Sequence, residues 1–73
     1  MTAPVFRPVS GRFVRISKLA PKAIDDLYPG LRMEERVPVA YELRSENYLG
    51  IVVGLKWNGG TAWIYERDVS EAA

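Results

Sequence analysis

The chain has 73 residues, is 48% hydrophobic and carries a formal net charge of +1. That length permits one domain with a small core, since such a chain buries only roughly 60% of its unfolded surface. The absence of Cys and His excludes a disulfide staple, a Cys/His zinc site, a thiolate nucleophile and an imidazole base.

Residues 1–8 lack the apolar core of a signal peptide, and no apolar run approaches the roughly 20 residues of a transmembrane helix. A soluble, cytoplasmic protein without direct membrane insertion is expected. Residues 1–10 read as a flexible N-terminal segment and residues 11–70 as the folded domain. Charge is unevenly placed. Arg7, Arg12, Arg15, Lys18 and Lys22 occur in residues 1–22 without an acid, whereas Asp25, Asp26, Glu34 and Glu35 follow against Arg32 alone. A basic first segment suits an acidic partner surface or phosphates, although such charges commonly serve only solubility.

Residues 11–19 alternate apolar and polar side chains after a glycine and predict a strand. Ala20-Pro21 ends it, and residues 22–35 read as a long loop holding one helical turn near 21–27, broken by Tyr28-Pro29-Gly30. A second strand is expected over 36–43, beginning at an edge or a bulge because Pro38 cannot donate to a ladder. Residues 44–47 form a polar turn. Residues 48–57 are the strongest strand, Asn58-Gly59-Gly60 turns the chain, and 61–65 returns. Residues 67–70 read as a tight turn of 3₁₀ type with at most a short last strand. Four to five short strands with a long loop after the first predict an all-β, small SH3-like antiparallel barrel.

Turn length decides the role of the two tryptophans. A two-residue turn sets Ala62 and Ile64 beside Ile51, Val53 and Leu55, and leaves Trp63 and Tyr65 on the other face with Gly54 and Lys56. A three-residue turn reverses this and buries Trp63. The first register is preferred, because an aromatic ring opposite Gly54 fills the gap that a glycine leaves. Val14, Ile16, Ile51, Val53, Leu55, Ile64 and Val69 then share the core. Trp63, Tyr65 and Arg67, with Lys56 beside them, form a contact patch, extended by Tyr28 and Leu31 from the long loop. Arg15 of the basic first segment completes the partner-binding candidates.

Enzyme chemistry has little to build on. No serine sits in a G-x-S-x-G elbow, and the paired acids 25–26 and 34–35 match no Ca²⁺-loop spacing. No cofactor is expected. A barrel binding RNA or single-stranded DNA is the alternative, favoured by the basic segment and exposed rings. The near-neutral net charge and Glu66 beside Arg67 weigh against it.

The stretch GIVVGLKWNGGTAWIYERDV, residues 50–69, resembles the end of small SH3-like accessory subunits of cyanobacterial photosynthetic complexes. It is most similar to the PetP family of the cytochrome b6f complex. Gly50, Val53, Leu55, Trp63, Ile64, Tyr65, Glu66, Asp68 and Val69 carry the likeness. GRFVRI matches the family's opening strand through Gly11, Val14, Arg15 and Ile16. Residues 20–36 have no counterpart, and the Asn58-Gly59-Gly60 turn differs. The resemblance implies a non-catalytic peripheral subunit, docked on membrane-embedded electron-transfer partners at the cytoplasmic face of a thylakoid membrane.

Overall fold

Alternating apolar residues, interrupted by turn-forming Gly, Pro and Asn, form six antiparallel strands among the described residues. The computed structural model describes residues 5–44 and 50–72. The strands are β1 (Val5–Pro8), β2 (Phe13–Ile16), β3 (Val37–Arg44), β4 (Ile51–Trp57), β5 (Gly60–Tyr65) and β6 (Val69–Glu71). A short helix α1 (Ala23–Leu27) and a 3₁₀ turn at Leu31–Met33 lie between β2 and β3, and a second 3₁₀ turn at Glu66–Asp68 precedes β6. The sheet order is β5-β4-β3-β2-β6, with β1 also on β3. Among the described residues hydrogen bonds do not close the sheet into a barrel. The protein is therefore mostly β and antiparallel, with one strand more than expected. Among the described residues no helix is long and apolar enough to cross a membrane.

The additional strand, Val5–Pro8, lies within residues 1–10, the span read from the sequence as a flexible N-terminal segment. Val5–Pro8 pairs with 41–44 of β3 along the same edge on which β2 pairs with 37–38. Between the two, the five steps from Pro8 to Phe13 oppose only three from Tyr41 to Pro38. The excess is absorbed around Gly11, whose φ of 75° is a left-handed value that glycine adopts without strain. Val9 N–H donates to the Ala40 carbonyl and Val39 N–H to that of Arg12, each at 2.9 Å, which carries the ladder across the irregularity.

Pro38 sits ahead of the first β3–β4 partner, Val39, where its missing donor costs that ladder nothing. A register shift follows between Val39 and Tyr41. The expected polar turn at 44–47 and the strand start at 48–49 lie outside the described residues beyond Arg44. The β4–β5 turn is the two-residue kind. Asn58 and Gly59 have φ of 53° and 77°, the doubly positive geometry that suits the twist of a hairpin. Val53 then faces Ile64, Leu55 faces Ala62, and Gly54 faces Trp63.

The core comprises Val14, Ile16, Leu31, Val37, Val39, Val53, Leu55, Ala62 and Ile64, closed by Ala20 and Ile24. Ile51 and Val69 are half-buried rather than inaccessible. Ile51 begins its strand beside exposed Arg44, and Val69 lies in a three-residue edge strand. Trp57 packs against the core rim and meets the Tyr28 ring edge-to-face at 6.1 Å.

Arg32 organises the long loop. Its guanidinium donates to the carbonyls of Ser17, Ala20 and Pro21 at 3.0–3.1 Å and to Asp25 at 3.0 Å. Arg12 does the same for the last strand, bridging Glu66 at 2.9 Å and Glu71 at 2.6 Å. Hydrogen bonding to Glu71, and then to Glu66, holds the Arg12 guanidinium above its ordinary value against partial desolvation, so the charge persists throughout.

Candidate functional site

Side chains alternate across β1, β3, β4 and β5, so rows of cross-strand partners divide between two faces. The row Arg7-Glu42-Val53-Ile64 lies on the core side, where Val53 and Ile64 are buried. The rows Phe6-Leu43-Val52-Tyr65 and Tyr41-Gly54-Trp63 point to the other side. This outer face is apolar as well. Leu43 and Val52 are each only 7% exposed, covered by the rings around them.

Gly54 explains how those rings lie. A Cβ placed there would sit 2.8 Å from the Trp63 benzo ring, so the indole lies directly on backbone that only glycine leaves bare. Tyr41 lies near-parallel to Trp63, at 25° with centroids 6.3 Å apart, and Phe6 meets it edge-on at 6.0 Å. These spacings are those of attractive aromatic pairs. All three rings remain exposed, Phe6 most of all at 59%. Phe6, Leu43, Val52, Trp63 and Tyr65 line an open cleft of about 430 Å³.

Tyr65 separates that cleft from two others. One of about 420 Å³ runs along Gly50, Ile51, Glu66 and Arg67. The other, about 250 Å³, lies towards α1, between Ile24, Leu27 and Tyr28 on one wall and Trp63, Tyr65 and Arg67 on the other. The Arg67 guanidinium rests 4.8 Å from the centroid of the Tyr65 ring, a cation–π arrangement.

Trp63, Tyr65 and Lys56 share the outer face by register, and Arg67 reaches it through the Tyr65 ring; all four are partly or fully exposed. Tyr28 joins them through the edge of β5, where its hydroxyl accepts a hydrogen bond from the backbone N–H of Trp63 at 3.1 Å. Leu31 does not. It is fully buried beneath the loop, because the 3₁₀ turn after Gly30 aims it into the core. Arg15 is exposed on β2, paired with Ser70, with β3 and β4 between it and β5. Sequence reasoning missed Phe6, Tyr41, Leu43 and Val52. The signal was the unbroken Ile51-Val52-Val53 run, which indicates a strand covered on both sides.

Among the described residues no three acidic side chains converge to hold a metal ion. The arrangement offers shape, apolar area and two cations, which are the means of recognition. No family model, curated protein or solved structure matches this chain.

Proposed function

We propose that this chain is a non-catalytic protein-interaction module that binds through the outer face of β1, β3, β4 and β5. The observation that carries this reading is the exposure of Phe6 and Trp63 at an open cleft, with Tyr41 exposed beside Trp63. Contiguous apolar area of that kind on a small domain marks a contact site. Tyr, Trp and Arg dominate interface energies because they bury much area with few rotors.

The SH3-like arrangement belongs to the same proposal. The order β5-β4-β3-β2-β6, the long loop between β2 and β3, and the 3₁₀ turn before β6 support it. The resemblance over residues 50–69 suggests a peripheral accessory or regulatory subunit of a photosynthetic electron-transfer complex at the cytoplasmic side of a thylakoid membrane. The test is capture by the tagged chain from its own host. Recovery of membrane electron-transfer subunits, lost on Trp63→Ala with a retained cooperative melt, is the expected result. Recovery that Trp63→Ala leaves unchanged removes the outer face from the proposal.

One observation favours the nucleic-acid reading as a second choice. Glu66 is drawn to Arg12, so it does not oppose an anion at Trp63. Binding of a single-stranded oligonucleotide at physiological ionic strength, with a steep salt slope, would reverse the order.

A further inference from the structure

We infer that the partner segment bound by this face is acidic, an extended stretch with one bulky apolar side chain flanked by carboxylates. The inference rests on the interaction-module reading and adds its charge. Two arginines have their charge answered by carboxylates within the fold, Arg12 by Glu66 and Glu71 and Arg32 by Asp25. Arg67 and Lys56 are cations beside the outer face, Arg67 through its contact with Tyr65 and Lys56 through its place in the outer row with Thr61. Both are exposed, and neither makes an ion pair among the described residues.

Their placement suits carboxylates. Stacking on Tyr65 engages the flat face of the Arg67 guanidinium and leaves its in-plane N–H groups available, the fork that a carboxylate accepts in bidentate fashion. Lys56 stands at the level of Thr61 and Arg67 rests on Tyr65. Four residues of strand separate those levels, about 13 Å at roughly 3.3 Å per residue. The cleft of Phe6, Leu43, Val52, Trp63 and Tyr65 opens at the Trp63 and Tyr65 levels of that span. Among the described residues the outer rows carry no acidic side chain, and of the two acids that line the clefts beside Arg67, Glu66 is paired with Arg12 while Asp68 is half-buried.

A second copy of the chain is a poor occupant. A two-fold face-to-face contact matches each patch with itself, which would bring these cations against their own counterparts. A nucleic-acid backbone shares the anionic character but asks for a longer cationic track than two side chains provide. The acidic peptide segment fits both the apolar cleft and the paired cations.

The test is selection of a displayed random 12-residue peptide library on the immobilised chain, with counter-selection on Trp63→Ala. Phe6→Ala replaces that variant if Trp63→Ala loses its cooperative melt. The expected result is enrichment of sequences with a Leu, Phe or Trp bracketed by Asp or Glu. Their synthetic forms should bind at least tenfold more weakly to Lys56→Gln/Arg67→Gln, and more weakly in 0.5 M salt. Face-dependent sequences that are neutral or basic, or an affinity unmoved by the double variant, overturn the acidic partner and leave the module reading standing. Absence of any face-dependent enrichment overturns both. Displacement of the enriched peptides by a 15-residue oligo(dT) that itself binds through Trp63 assigns the face to nucleic acid instead.

Discussion

Single atoms decide how the exposed rings are held. The missing Cβ of Gly54 is the seat of Trp63, so Gly54→Ala should push the indole off the sheet. The expected destabilisation is about 1–3 kcal/mol, the range for an overpacked site. In the Gly54→Ala/Trp63→Ala background most of that cost should vanish, since the clash has lost its partner. A double-mutant cycle from urea unfolding measures the coupling, and additive effects would contradict the seating. Arg32 acts on a different scale of chemistry. Replacing it with Ala frees three carbonyls and a carboxylate that it now satisfies. A loss of about 1–3 kcal/mol is expected, with faster proteolysis confined to the 17–33 loop. Arg32→Lys should not restore protection, because one compact ammonium cannot reach a fork of four acceptors.

At the level of the hairpin, one turn distributes two tryptophans to two tasks. Trp57 stands on the core face and braces Tyr28, whereas Trp63 stands outside. Trp57→Ala should chiefly lower thermal stability, while Trp63→Ala should weaken partner capture by roughly 2 kcal/mol or more. Measuring both quantities on both variants separates the roles, and an exchange of phenotypes would place the interface on the other face. Ile64→Ala, deep under the same hairpin, should cost about 2–5 kcal/mol, a large share of a small domain's stability. The hairpin was legible in the sequence because Asn58-Gly59 has one favoured geometry, and that geometry fixes parity for both strands. The helical turn before Tyr28 and the short last strand after a 3₁₀ turn were legible for similar local reasons. Strand β1 was not. Pro8 and the bulge around Gly11 hide its alternation, and its pairing with β3 is a tertiary fact. Leu31 was misplaced for the opposite reason. A loop stretch carries no period, so nothing local says which of Leu27, Leu31 and Met33 turns inward. The structure buries Leu31 and leaves the other two exposed.

Over the whole molecule, the sheet is apolar on both sides near β4, and only one side has a core to cover it. An occupant of the outer face therefore adds stability by mass action. Saturation at a hundred times its dissociation constant should contribute about 2.7 kcal/mol, visible as a concentration-dependent rise in Tm. The pairing of β2 with β6 has a temporal side. The Arg12–Glu71 contact closes a separation of 59 residues, whereas the β4–β5 turn closes two. Hairpins form in roughly 1–10 μs, whereas a contact of large sequence separation must first overcome a greater loop-closure entropy. On refolding, the β4–β5 hairpin is therefore expected to close before β6 docks on β2. For that interval both faces of the young sheet are wet, and the edge of β2 that later takes β6 is open. The chain is then at its most adhesive, since an unpaired strand edge is a template for a second refolding copy.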